Sequence, residues 1–241
     1  MGVQFDQLSR LMAPHLGEYW SRIRDEYATC SEQAPIVPQV EDLAARGGLR
    51  ETRIELSSKP SLPRVFFTHR ENNWLIQVQR DRFLHNWRAT TENQTYPRFE
   101  ATNSRFLQQW KTFESFVNTN ELGPIKINQL EITYLNRIGP VEEGAGLGNV
   151  FPDCRWRTGE RFLSQPETES LFLTFRKQNQ SRRLRVTIKP AVDGSFVLDL
   201  TVRGPREEGL ERWFAGSREW IVRAFADLTS AKWHERWGRT Q

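Results

Sequence analysis

"NNWLIQVQRDRFLHNWR", residues 72–88, decides how the chain is read. Trp74, Ile76 and Val78 recur at every second position, and Gln77 and Gln79 alternate with them. That is the two-residue period of a strand with one apolar and one polar face. After Gln79 the apolar phase changes, because Phe83 and Trp87 take the other parity. A slip of one residue exchanges the two faces of a strand, so "RDR" (80–82) reads as a bulge or bend. The stretch is expected to be the third of three strands, after "ETRIELSS" (51–58) and "RVFFTHR" (64–70).

Helical spacing brackets these strands. In residues 5–27, Leu8, Leu11, Met12, Leu16, Tyr19, Trp20, Ile23 and Tyr27 fall near a 3.6-residue repeat, with Pro14 starting the regular part. Pro35 and Pro38 make "SEQAPIVPQV" an extended linker. A second helix is expected from residue 100 to 120, with Phe106, Trp110, Phe113 and Val117 on one face and Gly123-Pro124 ending it. "TYPRFE" (95–100) ahead of it reads as a hydrophobic staple. "IKINQLEITYLNRI" (125–138) is a long strand.

Beyond an acidic, glycine-rich connection come "SLFLTFRK" (170–177), "RRLRVTIKP" (182–190) and "SFVLDLTVR" (195–203). "QNQS" and "VDGS" join these three strands as hairpin turns. A last helix carries Leu210, Trp213, Phe214, Trp220, Ile221 and Phe225. Thr229 or Ser230 then caps a short one holding Trp233 and Trp237, a final turn folded over the core.

The element order predicts an α+β fold of two pseudo-repeated antiparallel units, strand–helix–three strands–helix, the second copy lacking its first helix. Helices are expected on one sheet face. The boundaries are residues 1–138 for the first half, 139–154 for the connection and 155–241 for the second half, the two forming one compact unit. "MGVQFDQLSR" then answers "LEITYLNRIG", which makes Met1 start inside a strand whose earlier residues lie outside the chain.

Composition narrows the function classes. The chain has 241 residues, 37% hydrophobic and 27% charged, with nine Trp and fifteen Phe. Aromatic side chains bury large areas, so a sizeable core is expected and disorder is not. No stretch approaches the roughly 18 apolar residues that span a bilayer, and no signal peptide is evident. Cys30 and Cys154 stand far apart, as two reduced thiols of a cytoplasmic protein would. Residues 155–205 hold ten Lys and Arg against five Asp and Glu, so the mild net charge of +4 hides a basic second half.

If helices cover one face of the sheet, parity lists the other. Gln77 and Gln79 face it in the first half. Arg183, Arg185, Thr187 and Lys189 face it in the second half, with Asp199, Thr201 and Arg203 beside them. The face suits phosphate or base contacts, although an ordinary wet face is the simpler reading. "RKQNQSRRLR" (176–185), opening on Arg176, is the densest basic run. It reads as a solubilising hairpin tip whose arginines fan into solvent, with a phosphate-contacting finger as the sharper alternative.

Other motifs carry little. "GAGLGN" (144–149) imitates a phosphate loop but lacks its lysine and following helix, and Glu142 and Glu143 adjoin it. His15, His69, His85 and His234 form no metal-type spacing, so no metal, cofactor or catalytic residue is assigned. His69 and His85 can meet across strands, and Cys154 with His85 has no local signature of a nucleophile and base.

"LPRVFFTHRENNWLIQVQRDRFLHNWR", "YPRFE", "INQLEITYLNRI" and "EWIVRAFADLTSAKWHERWGR", in that order, resemble a sporadically distributed bacterial family of similar length and no established activity. The resemblance implies no site residues. The family's patchy distribution implies accessory genes, such as those of defence or toxin–antitoxin loci.

Together these readings lead to a non-enzymatic binding or regulatory protein that acts on a protein partner, or on its own copies, through a sheet face or exposed strand edge. The first strand, if unpaired, is one such edge. The alternatives are a nucleic-acid-binding module, using Gln77, Gln79, Arg176, Arg183, Arg185, Lys189 and Arg203, and a small-ligand cavity between sheet and helices. No membrane association is expected.

Overall fold

A computed structural model describes residues 1–37, 40–41, 62–91, 94–139, 147–155, 159–160, 162–163 and 166–237. The expected strand at 51–58 lies outside the described residues. In chain order the elements are β1 (Gly2–Phe5), α1 (Ala13–Ile23), β2 (Thr29–Gln33), β3 (Arg64–Thr68), β4 (Trp74–Gln79), β5 (Arg82–Trp87), α2 (Phe99–Thr119) and β6 (Ile127–Ile138). Two short 3-10 turns, Leu147–Asn149 and Pro152–Cys154, precede β7 (Leu171–Arg176), β8 (Arg183–Pro190), β9 (Phe196–Gly204), α3 (Leu210–Leu228) and α4 (Ala231–Arg236). The fold is α+β, as expected, with a nine-stranded antiparallel sheet in the order β2-β3-β4-β5-β1-β6-β9-β8-β7. The described chain divides into two compact units, Met1–Glu131 with Gly204–Glu211, and Ile132–Arg203 with the residues from Arg212 onward.

The opening stretch is a hairpin, not a bulged strand. Val78 lies opposite Phe83, Ile76 opposite His85 and Trp74 opposite Trp87. Directly opposed residues point to the same side, so the change of phase is what a two-residue turn at Arg80-Asp81 produces. The turn has neither Gly nor Asn, and its neighbours hold it instead. Phe5 N–H donates to Asp81 O at 2.9 Å, Leu8 N–H to Arg80 O at 2.9 Å, and Arg80 Nε to Leu11 O at 3.1 Å.

β1 is no edge. It pairs with β5 and β6, Val3 standing opposite both Phe83 and Leu130. Gly2 is a close-approach position, since a Cβ there would clash with Leu84 Cδ2. The edges of the described sheet are β2, polar and exposed throughout, and β7.

In the first unit the apolar parity of β1, β3 and β5 meets aromatic rings of the helices. Phe83 lies 5.5 Å from Trp110 and 5.2 Å from Phe113, and Phe5 is 6.0 Å from Phe113. Tyr19 of α1 meets Phe67 edge-on at 5.5 Å and Phe116 at 5.2 Å. Each such pair adds about 0.5–1.5 kcal/mol beyond the area it buries. Pro14 stands in the first turn of α1, and His15 Nδ1 accepts from Met12 N–H, closing that helix end. At 95–100 Tyr96 meets Trp87 edge-on at 5.1 Å and Phe99 is buried, and Thr102 Oγ1 donates to Pro97 O and Arg98 O at 3.1 Å each.

In the second unit, Leu184, Val186 and Ile188 of β8 and Leu198, Leu200 and Val202 of β9 form a buried apolar face. The expected turns are present, with Asn179 at φ 59° and Gly194 at φ 76°. Ser230 stands at the N-cap of α4, but its hydroxyl accepts no hydrogen bond from the helix and donates to Asn149 O at 3.0 Å. Trp233 is buried, and Trp237 closes on Phe225 at 5.3 Å.

Candidate interaction surface

β7, β8 and β9 form a meander, so the residues opposite one another across its strands share a side. Arg176 faces Arg183, which faces Arg203, giving one row of three guanidinium side chains. The next row is Thr174, Arg185 and Thr201, and the one after it Phe172, Thr187 and Asp199. Thr201 Oγ1 donates to Asp199 Oδ1 at 2.7 Å and lies 2.8 Å from Thr133 Oγ1, which fixes the side on which these groups project. With Lys189 the face carries five cations and one acid over three strands.

The arginines differ in exposure. Arg183 is buried, Arg185 and Arg203 are half-buried, and Arg176 and Lys189 are exposed. Arg185 leans toward the edge, its guanidinium 5.9 Å from the centre of the Phe172 ring. Phe172 is 60% exposed on this side of β7, and Phe175 is 41% exposed on the opposite side. β7 thus ends the sheet, among the described residues, with an aromatic ring showing on each face.

The hairpin tip departs from the solvent-fanned reading at two residues, since Arg183 and Arg182 are both buried. Arg182 is 1% exposed, stacks 4.9 Å above Trp213, and donates from Nη1 to Trp213 O and Ser217 Oγ at 3.1 Å each. One arginine of the run is therefore a strut between β8 and α3, while Arg176 keeps the exposed position.

Gln77 and Gln79 stand apart from this group. They lie in the first unit, and both are buried rather than open to solvent. Gln79 exchanges two hydrogen bonds with the backbone of Ile36 (3.0 and 2.9 Å) and donates to Asp81 Oδ1 at 2.6 Å. Gln77 Oε1 accepts from Arg64 Nη1 at 3.0 Å. Gln4 and Gln129 follow the same pattern, accepting from Arg82 Nη2 and from Glu41 N–H at 2.7 Å each. Residues 31–33 of the expected linker belong to β2 instead, while the backbone at Ile36 and Glu41 takes Gln79 and Gln129 as partners and the side chains of Arg64 and Arg82 take Gln77 and Gln4. That use answers why they alternate with Trp74, Ile76 and Val78.

A second polar group is buried on the opposite side of β5. Tyr27 Oη lies 2.8 Å from His85 Nε2, and His85 stacks on Trp74 at 5.0 Å. Tyr27 also meets His69 edge-on at 5.5 Å, so both histidines of the expected cross-strand pair gather round one tyrosine. Burial pushes the Tyr27 phenol up to about 12, and burial, with Arg105 and His69 nearby, holds His85 well below the usual histidine range. Both groups are neutral near pH 7, and His85 forms part of the core. The Cys154 thiol is raised by burial, then by Asp153 and Glu169, the direction opposite to an activated thiolate. Leu147 N–H donates to Glu169 Oε2 at 3.1 Å, so a carboxylate occupies the described end of the glycine-rich loop.

Among the described residues no cluster of His, Cys, Asp or Glu has the arrangement of a metal site, and no helix is long and apolar enough to cross a membrane. Comparison with family models, with curated proteins and with solved structures gives no significant match.

Phe172 and Phe175 are the surface residues that alternation alone passes over. Their signal is in "LFLTFR" (171–176), where the two rings take opposite parities, so any strand there shows one on each face.

Proposed function

We propose that the chain is a non-enzymatic binding protein that takes an extended segment of a protein partner onto the outer edge of β7. The reading treats β1 with β3–β5 and β6 with β7–β9 as pseudo-repeats, and places helices on the face away from the arginines. The observation that carries it is the exposure of Phe172 and Phe175 on opposite faces of an edge strand. Edge strands of monomeric proteins are usually blunted by polar or charged residues, as β2 is with its exposed Thr29–Gln33. A strand that keeps rings on both faces offers an added strand backbone pairing and two apolar contacts.

Peptides selected from a random display library on the folded chain test the reading. Selected peptides are expected to compete with one another and to bind at least tenfold more weakly to a Phe172→Ser/Phe175→Ser variant. A set of binders that do not distinguish the variant from the parent overturns it.

A further inference from the structure

The β7 edge is asymmetric in charge, and that asymmetry specifies the partner. We infer, resting on the edge-binding reading above, that the partner segment alternates acidic and apolar residues. Its acidic side chains lie over the arginine-bearing face, and its apolar ones lie beside Phe175.

An added strand continues the pleat of β7, so its residues opposite Phe172, Thr174 and Arg176 project on the arginine side. Arg176 stands on the edge strand itself. Arg185, one strand in, reaches outward over Phe172. A carboxylate opposite Arg176 and another opposite Phe172 each meet one of these cations across about one strand spacing, roughly 4.8 Å. The planar guanidinium binds carboxylate in two-point geometry, and the flanking ring excludes water from one side of the contact. On the opposite parity the added residues adjoin Leu171, Leu173 and Phe175, none of them charged. The pattern acidic–apolar–acidic–apolar is therefore selected by both faces at once.

Two other occupants fit less well. A second copy of the chain pairing antiparallel through β7 sets arginine face beside arginine face, which like charges oppose. A nucleic acid satisfies the arginines but leaves the outer backbone groups of β7 without a strand partner, and it makes no use of Phe175 on the far side.

The test uses the full chain and four labelled probes: an eight-residue peptide of alternating Glu and Val, its Lys–Val counterpart, a Glu-Glu-Val-Val peptide of equal composition, and a single-stranded oligonucleotide. Binding is followed by fluorescence anisotropy at two salt concentrations. The alternating Glu–Val peptide is expected to bind at least tenfold more tightly than the other three, and to lose about tenfold in an Arg176→Glu/Arg185→Glu variant that keeps the parent's circular dichroism. Equal binding of the Glu–Val and Lys–Val peptides, both lost on Phe172→Ser/Phe175→Ser, overturns the charge inference and leaves the edge reading standing. Binding of no peptide overturns both, and tight binding of the oligonucleotide alone assigns the arginine row to phosphate and overturns the peptide.

Discussion

Arg183 and Arg203 are direct cross-strand partners, and Arg176 flanks Arg183 on its other side, so three like charges share one row of the sheet. Like charges placed opposite each other destabilise a sheet, and opposite charges there contribute about 0.2–1 kcal/mol. Arg176→Glu puts a carboxylate beside Arg183 at an exposed edge position. Urea unfolding is expected to show stability unchanged or raised by up to about 1 kcal/mol. A loss larger than that would mean that Arg176 holds the fold.

Arg182 is expected to behave in the opposite way. Its guanidinium joins the β7–β8 hairpin to Trp213 and Ser217 of α3. Hydrogen bonds from a charged group are worth about 1.5–3 kcal/mol, so Arg182→Ala should cost about 2–3 kcal/mol. Arg182→Lys should recover less than half of that, because an ammonium lacks the flat guanidinium that stacks on Trp213. Chemical denaturation of the two variants checks the order.

Phe83 is the centre of the first unit's core, fully buried among Phe106, Trp110 and Phe113. Phe83→Ala is expected to cost about 3–5 kcal/mol, the range for deleting a buried ring. Phe172→Ala, at an exposed edge, should stay within about 0.5 kcal/mol of the parent. Similar losses at both positions, measured by urea unfolding, would contradict the assignment of β7 as an edge.

His85 sets a pH dependence whose sign follows from its burial. Its folded-state pKa is depressed, while the unfolded chain takes up the proton near the ordinary value of about 6.5. The contribution is complete above that value and is lost as pH falls below it toward the folded pKa. As pH falls below about 6.5 the slope from this one group approaches about 1.4 kcal/mol per pH unit. His85→Gln, which keeps an acceptor for Tyr27 Oη, should flatten the acid side of the stability profile by that amount. An unchanged profile would show that His85 is protonated in the folded chain.

Much of the architecture is legible in the sequence, and the departures have physical causes. Alternation placed Arg183, Arg185, Thr187 and Lys189 on the side opposite Leu184, Val186 and Ile188, because side-chain period in a strand is fixed by the pleat. The β4–β5 hairpin was hidden because its turn is held by backbone donors from Phe5 and Leu8, contacts no local pattern encodes. Gln77 and Gln79 look like a wet face in the sequence, since alternation cannot tell a polar residue facing water from one bonded to Arg64, as Gln77 is, or to the backbone at Ile36, as Gln79 is. Arg182 was hidden for the same reason, its partners lying 31 and 35 residues away on α3.

Amide hydrogen exchange of the full chain, with and without saturating Glu–Val peptide, tests the central claim most directly. An unpaired outer edge exchanges quickly, and an added strand protects it. The account predicts new protection at alternate amides of β7 between Leu171 and Arg176, with β2 unchanged. Protection at β2 or elsewhere, or unaltered exchange across β7 while the peptide is bound, would contradict it.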